Sequence, residues 1–331
     1  MRICIFGAGA IGSFLAAKLE GSGADVSVIA RGPHLAAIQT NGLKLQAPTG
    51  ETIHRMPATD NPADFGPQDI VIVTTKAHGL PQAAKTVPPL LGPNTKIVFA
   101  QNGIPWWYAH CFEAPGLAPG SITRIDPDGV IWNGFGPERA IGCTIFSPNS
   151  VPAPGVIRHV GVRKSRFELG QPDGIISPQL KQFSEAMEAA GVSAPINPAI
   201  RHAVWDKLLL NVANAPITTL TGATIKAATT DPEIRQIAQS LMRESMAVAA
   251  SHGFHTDADV ETNTDPATRP NHKPSMLQDF EAGRPMEIDP ILTCVQDFAR
   301  AAGVPTPTLD IILPLAATKA RTAGLYGGSF H

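Results

Sequence analysis

The feature that most constrains this chain is its start. Residues 2–6 (RICIF) form a short apolar run that breaks into Gly7-Ala8-Gly9-Ala10-Ile11-Gly12, after which Phe14, Leu15 and Leu19 recur at helical spacing. That order predicts strand, tight turn and helix, the context in which a glycine pattern of this spacing binds a dinucleotide. Gly7 permits the turn, Gly9 lets a pyrophosphate approach the backbone, and Gly12 lets helix and strand pack closely. Ala8, Ala10 and Ile11 complete the loop, whose helix N-terminus offers free N–H groups and partial positive charge to phosphate. Gly21 and Gly23 end the helix, and residues 25–30 (DVSVIA) read as a second strand.

Where that second strand ends, an acidic residue would bond a ribose 2′-hydroxyl. Here the positions are Ile29-Ala30-Arg31, so no carboxylate repels a 2′-phosphate, and Arg31 can pair with one while stacking on adenine. The pattern points to NADPH. Further strands are predicted at 70–74 and 96–100, with helical segments near 34–41 and 80–91, and this alternation argues for a doubly wound parallel sheet of the Rossmann type. Lys76, after Thr74-Thr75, and Asn102, in Gln101-Asn102-Gly103, follow strands, and in an open parallel sheet ligands bind beyond those strand ends. Position alone is equally compatible with ordinary loop residues.

With 331 residues, the chain has room for a second domain. The stretch from Cys111 to Pro137 is rich in Gly and Pro and reads as a long loop or insertion. Strand-like segments return at 140–146, 155–160 and 166–170, extending the sheet with an antiparallel portion. Beyond Pro178 the periodicity becomes helical, clearest at Val204–Leu210, Ile234–Ala250 and Ile291–Ala302, and 255–274 reads as a polar surface connection. The expected layout is therefore an α/β chain with a Rossmann domain over 1–176 and an all-helical domain over 177–331. Hydrophobic content of 43%, charged content of 16% and a net charge of -2, without a run of like charges, point away from nucleic acid and membrane surfaces. No stretch has the length of a membrane span or of a signal peptide, and the four scattered cysteines suggest neither a disulfide framework nor a metal site. A cytoplasmic enzyme of small molecules is the expectation.

In the second domain, Lys207, Asn211 and Asn214 fall at i, i+4 and i+7, so one stripe of a largely apolar helix carries an ammonium and two amides. Such a stripe facing the core costs several kcal/mol unless something polar meets it. A substrate would meet it; solvent is the other partner that periodicity leaves open. The segment 273–289, with Ser275 and Glu287, reads by itself as a solvated helix, a turn and a further helix start.

Taken together, GAGAIG, TTKAH (74–78), QNGI (101–104), WDKLLLN (205–211) and SMLQDFEAGRPMEID (275–289) resemble the ketopantoate reductase (2-dehydropantoate 2-reductase) family over nearly the whole length. The resemblance implies an N-terminal Rossmann domain, a helical C-terminal domain, a substrate cleft between them, and NADPH-dependent reduction of 2-dehydropantoate to pantoate for pantothenate synthesis. It implies Lys207 as catalytic lysine and Asn102 as a cofactor-side amide that reaches substrate. Asn211, Ser275 and Glu287 become substrate or catalytic-network residues, Arg31 the 2′-phosphate arginine and Lys76 a cofactor-side lysine. One position departs: where the family places asparagine before proline in this helix, this chain has Ala215 before Pro216, with Asn214 one residue earlier and so turned by about 100°. Which 2-oxo acid is reduced stays open, as does reduction of another 2-oxo or 3-oxo acid by a paralogue. A dinucleotide-binding redox sensor without turnover would explain the glycines and Arg31, but not Lys207 and Asn211. The region 104–139, with Trp106, Trp107 and Trp132, is longer than the family's usual connection and either lines or covers the cleft or only packs on the surface. Monomer and homodimer are both compatible with the sequence.

Overall fold

A computed structural model describes residues 1–117, 122–161 and 164–327. Two compact units emerge: Met1–Gln101 with Asp128–Ile200, and Asn102–Pro127 with Arg201–His331. The single boundary expected near 176 therefore shifts, for two physical reasons. The helix Pro178–Ala189 buries Leu180, Phe183 and Met187 in the core of the first unit, and the segment after Gln101 buries its aromatic residues in the second.

In the first unit the elements run β1 Arg2–Phe6, α1 Ala10–Gly21, β2 Asp25–Ile29, α2 Gly32–Asn41, β3 Leu43–Ala47, β4 Gly50–His54, β5 Ala58–Thr59, β6 Gln68–Val73, α3 Leu80–Thr86 and β7 Leu91–Ala100. After the excursion into the second unit come α4 Val130–Phe135, β8 Ala140–Phe146, β9 Asn149–Ala153, β10 Val156–His159, β11 Arg166–Gly170 and α5 Pro178–Ala189. The main sheet has the order β11-β8-β7-β6-β1-β2-β5. All its neighbours are parallel except β11, which runs antiparallel to β8. Its central strands are continuous apolar runs because both faces are covered, Ile70 to Val73 being wholly buried. The order reverses between β1 and β6, so the carboxyl ends of these two strands flank the crevice where such sheets take ligands.

The expected antiparallel extension is half right: β11 joins the main sheet, but β10 pairs with β3 and β9 in a separate four-stranded sheet with β4. The expected helix over 80–91 stops at Thr86, and Pro88–Leu90 makes a single 3-10 turn, because neither Pro88 nor Pro89 has an N–H to continue an α-helix.

Among its described residues the regular structure of the second unit is helical: α6 Ile200–Thr221, α7 Ile225–Thr230, α8 Pro232–Ser251, α9 Val260–Thr264, α10 Ser275–Glu281, α11 Cys294–Ala302 and α12 Pro307–Thr322. A π-helical turn, Asp289–Thr293, precedes α11. α9 interrupts the expected connection 255–274, started by Asp259, whose carboxylate accepts from the Glu261 N–H. Likewise α4 lies within the stretch expected to be loop from 111 to 137, of which residues 118–121 lie outside those described. No helix among the described residues is long and apolar enough to cross a membrane.

Candidate active site

The glycine loop is built by close approach. Gly7 has φ +104°, and a Cβ there would lie 3.0 Å from the Thr75 methyl. At Gly12 a Cβ would come within 2.1 Å of the Gly7 carbonyl and 2.5 Å of Thr74 Oγ1, so helix and strand touch only because that carbon is missing. The Thr74 hydroxyl donates to the same Gly7 carbonyl, tying the end of β6 to the turn after β1. Gly9 is different: a Cβ there would meet nothing within 4 Å. Gly9 is the N-cap of α1, no side chain caps that helix, and its first turn (Ala10, Ile11, Gly12) carries no acid. The opening N–H groups of a three-turn helix thus face open space without a competing carboxylate, which suits a phosphate.

Around this loop lie residues that motif reading did not find. Ser13 is fully buried and donates its hydroxyl to the Ala8 carbonyl, 2.9 Å away. His34 Nε2 lies 3.2 Å from Ser13 Oγ, and His34 Nδ1 accepts the Gly155 N–H at 3.0 Å. Since Nδ1 is an acceptor, the neutral ring carries its proton on Nε2 and donates to Ser13. Burial pushes the His34 pKa below its ordinary value, which keeps that neutral form. Arg31 is exposed at the N-cap of α2, directly after β2, and Lys76 is the N-cap of a 3-10 turn after β6.

In the second unit the stripe of α6 meets the chain that follows β7. Lys207 Nζ donates to Asn102 Oδ1 at 2.8 Å. Gly103 fixes where Asn102 stands. Its φ is +81°, and a Cβ would lie 2.4 Å from the Pro290 carbonyl oxygen, which accepts the Ile104 N–H at 2.7 Å. Asn102 is therefore locked to the π-helical turn that begins two residues after Glu287. Contrary to the solvated segment read from sequence, Glu287 is only 7% exposed, and its neighbours Met286 and Ile288 belong to the core. The backbone there is held from the C-terminal side, with the Met286 N–H donating to Leu325 and the Tyr326 hydroxyl to Asp289.

The remaining expected residues divide. Asn211 is half-buried one helical turn beyond Lys207. Asn214 is 6% exposed and its amide nitrogen donates to the Leu210 carbonyl at 2.7 Å, so the third member of the stripe spends a donor on its own helix. Ser275 is exposed at the first position of α10. Ala215 is 3% exposed within the apolar cluster that holds Ile104, Tyr108, Trp205 and Leu208. The first part of the long connection does not merely pack on the surface: Trp106, Trp107 and Tyr108 are core residues.

This chain matches the family model described as ketopantoate reductase PanE/ApbA over residues 3–108 and that family's C-terminal model over 199–320. It belongs to the ketopantoate reductase family. The two matches separately contain the glycine loop with Asn102 and the stripe from Lys207 to Asn214. A 2-dehydropantoate 2-reductase of Mesorhizobium japonicum is 42% identical over 98% of this chain and 100% of its own length. One from Pyrococcus abyssi is 27% identical over 93% and 94%. Among solved structures, a 2-dehydropantoate 2-reductase from Geobacter metallireducens superposes with a TM-score of 0.82 at 26% identity, covering 96% of this chain and 99% of the other. A D-mandelate dehydrogenase solved with NADH and anilino(oxo)acetate has the same fold, with a TM-score of 0.83 at 22% identity, covering 98% and 100%. As a ketopantoate reductase family member the chain is an oxidoreductase with a Rossmann-type first unit.

Proposed function

We propose that this chain is the NADPH-dependent reductase of 2-dehydropantoate, forming pantoate for pantothenate synthesis in the cytoplasm. The observation that carries the reading is the Lys207–Asn102 hydrogen bond: a half-buried ammonium on a largely apolar helix, held by the amide of the segment after β7. The 42% identical relative named 2-dehydropantoate 2-reductase supports the substrate.

A bound dihydronicotinamide supplies the hydride. Its pyrophosphate fits the uncapped start of α1, where Gly9 leaves space, and Gly7, Ala8, Ala10, Ile11 and Gly12 form the rest of the cradle. Arg31 takes the 2′-phosphate and Lys76 the cofactor's phosphate side. As the ketone carbon of the 2-oxo acid accepts the hydride, negative charge grows on its oxygen. Lys207 stabilises that oxyanion and delivers a proton to it as general acid. Asn102 Oδ1, accepting from the ammonium, fixes its direction. Asn211 hydrogen-bonds substrate oxygens, Ser275 the carboxylate, and Glu287 balances the charge of Lys207 or accepts a substrate hydroxyl. Asn214 is a further substrate-binding amide, one of its two N–H groups being spent on Leu210.

Ala215 favours a second reading, a 2-oxo or 3-oxo acid other than 2-dehydropantoate, since this position offers a methyl among apolar neighbours where an amide would bond a hydroxyl. Loss of NADPH absorbance against a panel of oxo acids decides between them, with 2-dehydropantoate giving the highest kcat/KM on the first reading. Lys207→Ala is expected to lower kcat roughly 10²- to 10⁴-fold with the NADPH Kd unchanged. Wild-type turnover in that variant would remove Lys207 from the mechanism.

A further inference from the structure

The segment that begins at Asn102 carries the first amide of the site and then buries Ile104 and Tyr108 in the core of the second unit, and its attachment is built from polar groups in that apolar core. The Trp205 indole N–H donates to the Tyr108 hydroxyl at 2.7 Å. Tyr108 Oη lies 3.0 Å from His252 Nδ1, and His252 Nε2 lies 2.9 Å from the Pro115 carbonyl oxygen. A carbonyl can only accept, so the His252 proton is on Nε2, Nδ1 is the acceptor, and the phenol donates to it. The chain of donation is Trp205 to Tyr108 to His252 to Pro115, without a group left over. All three side chains are buried, Tyr108 completely. A second fastening lies one turn earlier on α6: Arg201 donates from Nε to the Tyr108 carbonyl at 2.8 Å and from its terminal nitrogen to the His110 carbonyl, its guanidinium 4.8 Å above the Phe112 ring.

Trp205 stands two residues before Lys207, and Tyr108 six residues after Asn102. The Tyr108 hydroxyl thus joins the segment bearing Asn102 to the helix bearing Lys207, and the Gly103–Pro290 contact leaves the short stretch between little freedom. We infer that Tyr108, Trp205 and His252 are positioning residues for the reaction: their hydrogen-bond chain sets the place at which Asn102 meets Lys207. This rests on the reading of Lys207 as general acid. It assigns a task to the long connection that the motifs leave unexplained, because His252 bonds two of its residues, Tyr108 and Pro115.

Removing the Tyr108 hydroxyl strands the Trp205 N–H and His252 Nδ1 in the core while keeping the ring packed on Phe298. Misplacement of a catalytic group by about 1 Å costs on the order of a hundredfold in rate. Tyr108→Phe in the full-length enzyme is therefore expected to lower kcat roughly 10- to 100-fold, with the KM for the 2-oxo acid and the NADPH Kd, read by fluorescence titration, each within about threefold of wild type. Trp205→Phe, which retains the phenol, should give a smaller fall of the same kind. The double variant should lose less than the product of the two, as expected of one network. Lys207→Ala serves as the control. An inactive Lys207→Ala beside Tyr108→Phe and Trp205→Phe variants that melt earlier but turn over at the wild-type rate would leave the general acid in place and overturn the positioning role. An active Lys207→Ala would overturn the reading beneath it. Should Tyr108→Phe fail to fold, the kcat of Trp205→Phe decides alone.

Discussion

Arg31 shows how much one side chain decides. It stands exposed in extended backbone (φ -140°, ψ 158°) as the N-cap of α2, directly after β2, while the Ala30 N–H is held by Thr59. No acid stands at Ile29 or Ala30, so on the proposed reading a 2′-phosphate would meet a guanidinium and a 2′-hydroxyl would meet no carboxylate. A charged hydrogen bond of about 1.5–3 kcal/mol corresponds to roughly 10- to 100-fold in affinity. Arg31→Ala is accordingly expected to weaken NADPH by that factor in a fluorescence titration while leaving NADH near its original Kd. Equal loss for both dinucleotides would mean that Arg31 does not select between them. The position of Arg31 was legible in sequence because it depends on a strand end nearby in the chain. Ser13 and His34 were not: Ser13 holds the Ala8 carbonyl and is itself held by a histidine 21 residues away, and no local pattern announces that pair.

Among the elements, those read correctly are those whose sequence pattern is unbroken. β1, β2 and β6 are buried on both faces and so appear as unbroken apolar runs, and α8 is observed over Pro232–Ser251 where Ile234–Ala250 was expected, because its apolar stripe repeats without interruption. β3, β4 and β9 were not read, since they form a small sheet with mostly exposed positions and little apolar pattern. The segment after Gln101 was misread because its partners lie far along the chain, Trp205 for Tyr108 and Asp297 for Arg124. The start of α12 is a case that sequence rules miss and energetics can check. Its N-cap Thr306 makes no side-chain cap bond; instead the carboxylate of Glu244, on α8, accepts the Thr308 N–H at 2.8 Å and the Leu309 N–H at 2.9 Å. A helix start held by a carboxylate is worth about 1–2 kcal/mol through its hydrogen bonds and the helix dipole. Glu244→Ala should lower the unfolding free energy by that amount, read as a lower urea midpoint at constant m, and Glu244→Gln by less. A midpoint indistinguishable from wild type would show that solvent caps α12 equally well.

Across the whole molecule, pH acts through histidines held neutral in both units. His34 and His159 in the first unit, and His252 and His272 in the second, all have pKa values pushed below the ordinary 6.5, with burial as the largest cause; Lys18 adds to it at His159 and Arg269 at His272. At His34 and His252 the neutral ring is also required by geometry, because Nδ1 accepts from the Gly155 N–H and from the Tyr108 hydroxyl. A depressed folded pKa means that the unfolded chain binds more protons as pH falls below about 6.5, so the stability is whole above that value and is lost through the interval between 6.5 and the folded values. The opposite sign would hold for a histidine gaining an acidic partner. Exposed carboxylates shifted downward, such as Glu188 beside Lys164, act only in a lower window, beneath their ordinary 4.5. Urea midpoints measured from pH 8 to pH 5 should therefore be level above neutrality and fall below 6.5, with a slope near about one to two protons. His252→Asn, whose amide oxygen can still accept from Tyr108 but does not titrate, should make that slope shallower. A midpoint constant from pH 8 to pH 5 would mean that these rings take up protons in the folded enzyme as readily as in the unfolded chain, and then neither the Ser13–His34 bond nor the Tyr108–His252 bond could depend on the neutral form.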